Sequence, residues 1–262
     1  MVRGGRRARG AGYRSPGMSL QRERRPDGVE VLRLDRPQQR NALNLQLIRA
    51  MVQTLDELAA DADLRAVVLS STSTDAFCAG ADINEPLSAE GGVARMEAFT
   101  ALYTAIETFP APTICVCVGH CVGAGAELAA GCDLRVVADN AKLAWSGALL
   151  GVPVGPARLT PLVGLARAKE LIFTGRPVDR AEAVALGLAA RIATAEEAEA
   201  VAVALAQELA HHPPDGLRRL KRMFADFDNI PARVAKENEL LIQWQRRGPG
   251  LPAASPADRR NG

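Results

Sequence analysis

Apolar residues recur along the chain with spacings that predict short strands and helices. Residues 29–34 are mainly apolar and lie between turn-forming residues, which is typical of a strand. Asn44 stands where an N-cap would be, and residues 48–59 carry apolar side chains at helical spacing, so a helix of about four turns is expected. Residues 65–71 then predict a second strand that ends in a loop of small residues.

The same order returns in the middle of the chain. Residues 93–108 have a helical pattern, and two prolines separate them from residues 113–119, a nearly continuous apolar run typical of a buried strand. A glycine-containing turn leads to the helix-forming residues 126–130, and residues 133–138 resemble a further strand. The repeated order of strand, turn and helix predicts stacked ββα or βα units in an α/β architecture.

The two ends of the chain differ in character from its middle. Residues 1–26 are rich in Arg and Gly and predict a disordered basic extension, whereas residues 27–193 form the predicted core. Residues 194–247 show only helical patterns and predict a separate C-terminal helical region. Residues 248–262 are rich in Pro, Gly and Ala and predict a flexible tail.

Composition and charge exclude several classes of function. The 262 residues are 48% hydrophobic and 24% charged, as expected for one large globular domain or a domain with a helical appendage. The 32 basic and 30 acidic residues leave a net charge of +2, which gives no strong attraction for nucleic acid. No apolar run approaches the ~20 residues that span a bilayer, so no membrane interaction is expected.

The cysteines indicate a reducing compartment rather than a metal site. None of the five forms a Cys-x-x-Cys pair, so we expect buried free thiols and no bound metal. No apolar segment follows the basic N-terminus, as a secretory signal would require. A cytoplasmic location is therefore predicted.

Glycine-containing turns follow two of the predicted strands, at residues 79–82 and 119–127. Small residues there would let backbone N–H groups approach an oxygen atom of a ligand to ~2.7–3.1 Å, as in an oxyanion hole. Alternatively, the glycines only permit close packing of helix on strand. A dinucleotide-binding loop is disfavoured because Leu128 replaces the third glycine of the Gly-x-Gly-x-x-Gly pattern.

Several ordered segments together resemble the enoyl-CoA hydratase/isomerase (crotonase) family. The principal ones are Arg36-Pro37-Gln38-Gln39-Arg40-Asn41-Ala42-Leu43, Phe77-Cys78-Ala79-Gly80-Ala81-Asp82-Ile83 and Val118-Gly119-His120-Cys121-Val122-Gly123-Ala124-Gly125-Ala126-Glu127-Leu128. Residues 173–176 and 181–188 are similar to later segments of the same family. The resemblance spans residues 28–193.

The resemblance implies a crotonase-like α/β fold, a spiral of ββα units with a C-terminal helical trimerisation region. It implies a homotrimer or a hexamer built as a dimer of trimers. It also implies an acyl-CoA thioester as substrate, with coenzyme A as part of that substrate and no separate cofactor. The backbone amides of Ala81 and Ala124 are expected to form the oxyanion hole for the thioester carbonyl. Family members often have Gly at the position of Ala124.

The resemblance also assigns residues to substrate binding. The segment around Arg40 and Ala42, the residues from Ala79 to Ile83, and Gly123 are expected to hold the coenzyme A portion and the thioester. Lys221, in the C-terminal helices, is expected to reach the phosphates. The complete predicted binding set is Arg40, Ala42, Ala79, Gly80, Asp82, Ile83, Gly123, Gly147 and Lys221.

The catalytic carboxylates depart from the family pattern. Hydratases of the family use two glutamates that share one water; Glu127 matches the first, and Gly147 stands at the second. No Asp or Glu lies between Asp139 and Glu170 to replace it. We expect burial to raise the pKa of Glu127 and the helix dipole to lower it. The absence of a side chain at Gly147 leads to the hypothesis that the pocket is enlarged there and admits branched acyl groups.

Three functions remain open from the sequence. The first is an enoyl-CoA hydratase that works with Glu127 alone. The second is another acyl-CoA reaction, such as isomerisation, decarboxylation or thioester hydrolysis. The third is an acyl-CoA-binding protein without catalysis. Glu127 favours the first two, and Gly147 favours the last two.

Overall fold

A computed structural model of the chain describes residues 19–251. Its strands are β1 (Leu20–Arg24), β2 (Val29–Leu34), β3 (Ala66–Ser71), β4 (Ala76–Cys78), β5 (Thr113–Cys117), β6 (His120–Val122), β7 (Leu134–Ala138), β8 (Lys142–Ala144) and β9 (Arg191–Ala193). Its helices are α1 (Leu45–Ala59), α2 (Ala89–Glu107), α3 (Ala124–Gly131), α4 (Pro156–Val163), α5 (Leu165–Thr174), α6 (Arg180–Ala185), α7 (Ala198–Ala210), α8 (Pro214–Phe227) and α9 (Ile230–Arg247). Short 3₁₀ helices span Pro37–Gln39 and Ser146–Leu150.

Two sheets form the frame of the molecule. The larger has the strand order β1-β2-β3-β5-β7-β9, in which β1 is antiparallel to β2 and the remaining pairs are parallel. The smaller has the order β4-β6-β8 and is entirely parallel. Successive units β3-β4-α2, β5-β6-α3 and β7-β8-α4 each contribute one strand to each sheet. The sequence allows either ββα or βα units, and the structure shows the ββα form.

The predicted strands and helices of the core agree closely with the structure because local signals and burial coincide there. Residues 29–34 form β2 as predicted, and every strand residue except Arg33 is buried. At the start of α1, the Asn44 side chain accepts a hydrogen bond from the Leu47 amide at 2.9 Å. Leu47, Ile48 and other apolar residues of α1 face the core.

The prediction that residues 1–26 are disordered is wrong for residues 20–24, which form β1. Leu20 is buried, and the Arg22 guanidinium pairs with the carboxylates of Glu30 and Glu57 at 3.1 and 2.8 Å. An edge strand tolerates charged side chains when partners on neighbouring elements neutralise them. The first 18 residues of the predicted extension lie outside the described residues.

The predicted boundary at residue 194 also differs from the structure. Helix α7 packs on strands β2, β3, β5 and β7, so it covers one face of the larger sheet and belongs to the core. The Arg33 guanidinium in β2 binds the Glu199 carboxylate in α7 at 2.7 and 2.8 Å. Helix α9 packs on α2, whereas α8 buries none of its residues. Most of the predicted tail, residues 252–262, lies outside the described residues.

All five cysteines are buried free thiols, as predicted. Between residues 19 and 251, no helix combines the length and apolar character needed to cross a bilayer. Within the same range, no group of three or more His, Cys, Asp or Glu side chains is arranged to hold a metal ion.

Candidate active site

A cavity of about 670 Å³ opens where the turns after β4 and β6 meet α2 and the second 3₁₀ helix. The predicted site residues Arg40, Ala42, Ala79, Gly80, Ala81, Asp82, Ile83, Gly123, Ala124 and Gly147 all line it. Glu127 and Lys221 are not among its lining residues. The fold therefore gathers the two glycine-containing turns and the Arg40 segment around one cavity.

The first turn leaves the amide of Ala81 available to a ligand. A parallel bridge joins Leu43 and Ala81. Its hydrogen bonds run from the Leu43 amide to the Gly80 carbonyl at 2.8 Å and from the Asp82 amide to the Leu43 carbonyl at 2.9 Å. Because N–H groups alternate in direction along an extended segment, the Ala81 amide points away from Leu43.

The second turn leaves the amide of Ala124 available in a different way. Ala124 is the first residue of α3, so its N–H has no acceptor within the helix and lies at the positive end of the helix dipole. Gly123, which precedes it, adopts φ +52° and donates its own amide to the Ala144 carbonyl at 2.9 Å. A positive φ favours glycine at this position.

The two turns touch at their glycines. A Cβ added to Gly123 would lie 3.8 Å from the Gly80 Cα. A Cβ added to Gly80 would lie 3.1 Å from the Val122 carbonyl oxygen and 3.7 Å from the Ala124 nitrogen. A side chain at residue 80 would thus crowd the approach to the Ala124 amide. Two amides at one cavity wall can bind a developing oxyanion.

Close packing of helix on strand, the alternative explanation for the glycines, applies to Gly125. A Cβ on Gly125 would collide with the Cys78 carbonyl oxygen, because α3 packs directly on β4. Gly125 therefore serves close packing of helix on strand. Gly80 and Gly123 keep the cavity wall open.

Asn41 and Arg36 hold the cavity wall in place. Asn41 is buried at φ +56°, and its side chain donates to the Ser71 hydroxyl at 2.8 Å and to the Ala76 carbonyl at 3.0 Å. Its side-chain oxygen accepts from the Arg36 amide at 2.8 Å. The Arg36 guanidinium donates to the Ala42 carbonyl and, at 3.0 Å, to the Asp82 carboxylate. Asp82 therefore has a structural partner as well as a place at the cavity.

Glu127 lies in the first turn of α3, three residues after Ala124 and on the same helical face. It is 1% exposed, and its Oε2 atom accepts a hydrogen bond from the Nε atom of Arg158 in α4 at 2.7 Å. Burial raises the pKa of Glu127 to about 7, the nearby Glu237 carboxylate adds to the rise, and the Arg158 guanidinium opposes it. The predicted rise from burial is confirmed.

Arg158 connects Glu127 to the C-terminal helix. Its Nη2 atom donates to Glu237 of α9, whose other carboxylate oxygen accepts from the Ala157 amide at 2.8 Å. Arg158 is 2% exposed and Glu237 is 7% exposed. The three side chains form a buried carboxylate–guanidinium–carboxylate group, which we call the Glu127–Arg158–Glu237 triad.

Tyr103 lies between this triad and the cavity. Its ring lines the cavity, and the Arg158 Cζ atom lies 4.2 Å from the ring centroid. Sequence reasoning missed Tyr103, Arg158 and Glu237. Tyr103 belongs to the apolar stripe of α2 and resembles a core residue. The only available signal for Arg158 is its position as a single charge between Ala157 and Leu159.

The space beside Gly147 is already occupied. A Cβ at residue 147 would lie 2.8 Å from the Val154 Cγ1 atom and 3.1 Å from the Val152 carbonyl oxygen. The hypothesis that the missing side chain of Gly147 enlarges the pocket is therefore wrong, because the space that this side chain would occupy is already filled. Valine side chains fill that place, and the cavity wall there is apolar.

Lys221 lies away from the cavity, contrary to the prediction that it reaches the phosphates of coenzyme A. Its ammonium group donates to the Asp133 carboxylate at 2.7 Å and to the Ala111 carbonyl at 2.9 Å. It lines a separate cavity of about 510 Å³ beneath α8. Because the Asp133 carboxylate and the Ala111 carbonyl already bind its ammonium group, Lys221 has a structural role within this chain.

Comparisons with known proteins identify the family of the chain. The profile of the family described as enoyl-CoA hydratase/isomerase matches residues 24–243. The chain is 39% identical over 204 residues to the enoyl-CoA hydratase domain-containing protein 2, mitochondrial, of Bos taurus, covering 74% of this chain and 69% of that protein.

Solved structures share the fold. The enoyl-CoA hydratase of Bacillus anthracis superimposes with a TM-score of 0.75 at 25% identity, covering 90% of this chain and 100% of the other. That of Mycobacterium smegmatis gives a TM-score of 0.72 at 29% identity, covering 85% and 90%. The predicted crotonase-like fold is confirmed, and the chain belongs to the enoyl-CoA hydratase/isomerase family.

Proposed function

We propose that the chain binds an acyl-CoA thioester in the 670 Å³ cavity and adds water to a 2-enoyl-CoA. The observation that carries this proposal is the pair of amides of Ala81 and Ala124 on adjacent turns of the cavity wall. A thioester carbonyl that accepts from both amides becomes more electrophilic at its β-carbon. The same amides stabilise the enolate oxygen that forms when a nucleophile adds.

Glu127 is proposed as the single base. It accepts a proton from water while the water oxygen bonds to the β-carbon of the substrate, and the electron pair of the double bond moves through the α-carbon to the thioester oxygen. The enolate then collapses and the α-carbon takes a proton back from Glu127 through a second water, so that H and OH have been added overall. A pKa of about 7 suits a group that both accepts and returns a proton near neutral pH.

The position of Glu127 requires a water molecule between its carboxylate and the substrate. The residue is 1% exposed and is not among the residues that line the cavity. Ala124, which does line it, lies one helical turn away on the same face of α3. A water at the back of the cavity, beside Tyr103, is the proposed nucleophile.

Turnover of crotonyl-CoA and of a longer 2-enoyl-CoA, followed by loss of the enoyl absorbance, tests the proposal. Wild-type protein should hydrate at least one of the two, and Glu127→Gln should lose about 10²–10⁴-fold in kcat while it keeps acyl-CoA binding. Equal rates for wild type and Glu127→Gln would contradict the role of Glu127. Tight acyl-CoA binding without turnover would indicate a binding protein rather than an enzyme.

The apolar wall beside Gly147 supports a second candidate reaction, the decarboxylation of a 2-carboxyacyl-CoA. In this reaction the bond between the α-carbon and the carboxylate breaks, CO₂ leaves, and its electron pair is held as an enolate by the two amides. The α-carbon then takes a proton from water. The step needs no second carboxylate, and a Cβ at residue 147 would lie 2.8 Å from the Val154 Cγ1 atom. Release of CO₂ from methylmalonyl-CoA without hydration of crotonyl-CoA would favour it.

We also propose that the chain acts as a homotrimer or hexamer in the cytoplasm. The exposed apolar residues of α8 support association, since Phe224 and Phe227 are 72% and 81% exposed. Free buried thiols support a reducing compartment. The bovine relative is named as mitochondrial, so fractionation of cells that produce the chain is the test of location.

A further inference from the structure

The Glu127–Arg158–Glu237 triad joins three helices that are far apart in sequence. Glu127 lies in α3, Arg158 in α4 and Glu237 in α9. Both carboxylate oxygens of Glu237 accept hydrogen bonds, one from Arg158 and one from the Ala157 amide. Only the Oε2 atom of Glu127 accepts one within the described part of the chain. Its Oε1 atom faces Gly155, where an added Cβ would lie 3.0 Å away.

One guanidinium cannot neutralise two buried carboxylates. With all three groups ionised, the triad would carry a net charge of −1 in a site that solvent barely reaches. Burying an uncompensated charge is costly, so the triad favours uptake of one proton. Glu237 accepts two hydrogen bonds and Glu127 accepts one, which directs that proton to Glu127.

We propose that Glu237 is a positioning residue that controls the protonation of Glu127 by competing with it for Arg158. The inference rests on the proposed function of Glu127 as the base. It gives the C-terminal helix α9 a part in the chemistry without contact between Glu237 and substrate.

Other groups near the triad also influence Glu127 and must be accounted for. Arg158 and Glu237 act on Glu127 most strongly, and Tyr103 and Glu107 also interact with its charge. Cys78 interacts with Tyr103, and Arg233 interacts with Glu107. Burial raises the pKa values of Tyr103 and Cys78, which keeps both side chains neutral. Burial also raises the pKa of Glu107 to about 7, so Glu107 titrates in the same range and needs its own control.

The experiment is a titration of glutamate side chains labelled with ¹³C at the carboxyl carbon, followed by NMR on the full chain. Glu127→Gln identifies the signal of Glu127, and Glu107→Gln identifies that of Glu107. In Glu237→Gln, the midpoint of Glu127 should fall by about one pH unit or more, a tenfold loss of proton affinity. Glu237→Asp keeps the charge and should keep the midpoint close to that of the wild type.

Two controls on the same helix separate charge from packing. Glu239→Gln removes an exposed carboxylate that pairs with Lys236 at 2.9 Å, and it should leave the midpoint of Glu127 unchanged. Asn238→Ala removes hydrogen bonds from α9 to Thr100 and Thr104 of α2, at 3.1 and 3.0 Å, without changing any charge. It should lower the melting temperature and leave the midpoint in place.

The pH profile of turnover provides the second readout. Glu237→Gln should move the acidic limb of kcat to lower pH by the same amount as the midpoint of Glu127. An unchanged midpoint in Glu237→Gln would overturn the inference, whatever the activity. A shifted midpoint in a protein that turns over no acyl-CoA would leave the coupling between the two glutamates intact and would refute the proposed function instead.

Discussion

The backbone N–H of Ala124 is the residue-scale feature on which the proposed chemistry depends most. Ala124 opens α3, and the first position of a helix accepts proline because no intrahelical hydrogen bond is lost there. Ala124→Pro therefore removes the donor while the helix can still form. We expect kcat to fall about 10²–10³-fold, as for removal of one oxyanion donor.

Ala124→Gly is the matched control for this substitution, because it keeps the amide and removes only a methyl group. Its turnover should stay within a few fold of the wild type. Equal losses in Ala124→Pro and Ala124→Gly would show that the methyl group, rather than the amide, is what the site needs.

Protonation of Glu127 predicts how stability changes with pH. Its pKa is raised from 4.5 to about 7, so in the folded state it holds a proton over a range where the unfolded chain releases it. Its contribution to stability is therefore fully present below about pH 4.5 and is lost as the pH rises through about 7. The difference in melting temperature, wild type minus Glu127→Gln, should decrease over this range.

The pKa of Glu107 is raised to the same range, in part by the Glu127 carboxylate, so the comparison is made in a Glu107→Gln background. A difference that stays constant or increases with pH would mean that Glu127 is not a buried group with a raised pKa.

A side chain at residue 147 would collide with Val154. A Cβ at residue 147 would lie 2.8 Å from the Val154 Cγ1 atom, so Gly147→Glu should lower the free energy of unfolding by about 1–3 kcal/mol through overpacking. In a Val154→Ala background the same substitution should cost less. Urea unfolding of the wild type, both single variants and the double variant measures this coupling. An equal cost in both backgrounds would contradict the packing seen beside Gly147.

Among the elements, Asn41 and Asn44 have different roles: Asn41 holds the cavity wall in place, whereas Asn44 caps helix α1. Asn41→Ala removes three hydrogen bonds and a residue suited to a positive φ, so it should cost at least about 2 kcal/mol of unfolding free energy. It should also weaken acyl-CoA binding, because Arg40 and Ala42 are its neighbours at the cavity.

Asn44→Ala removes only the N-cap of α1 and should cost about 1 kcal/mol with binding unchanged. Urea unfolding and calorimetric titration with an acyl-CoA measure both quantities. Equal effects of the two substitutions on binding would contradict the distinct role of Asn41.

The elements that the sequence predicts best are those whose local signals agree with burial. Strand β2 and helix α1 have clear apolar patterns and, for α1, a capping residue. Strands β4, β6 and β8 were not predicted, because each is three residues long and follows directly from another segment. Strand β1 was missed because its charged side chains find partners on β2 and α1, which the local sequence does not reveal.

The residues of the candidate site also differ in how well the sequence predicts them. The two turns were predicted because their glycines and small residues are contiguous in sequence. The triad was not, since Glu127, Arg158 and Glu237 meet only after α3, α4 and α9 have packed together. Lys221 was assigned to the wrong place for the same reason, because its partner Asp133 is 88 residues distant in sequence.

At the scale of the whole molecule, helix α8 predicts association of several copies. It buries none of its residues, and its apolar side chains Leu220, Met223, Phe224 and Phe227 are between 47% and 81% exposed. The purified chain should have about three or six times its monomer mass by light scattering. Phe227→Glu should shift it towards the monomer, whereas Lys236→Glu, at an exposed polar position, should not. A monomeric wild type would contradict the proposed trimer.

The amides of Ala81 and Ala124 are proposed to stabilise an acyl-CoA enolate, and titration with a 3-ketoacyl-CoA detects that enolate directly. Such a ligand forms an enolate with its own absorbance band, and a site that stabilises this anion increases the band without any turnover. We predict that the band appears with wild type and Ala124→Gly and is greatly reduced with Ala124→Pro. Saturable binding with no enolate band in the wild type would show that these amides do not form an oxyanion hole.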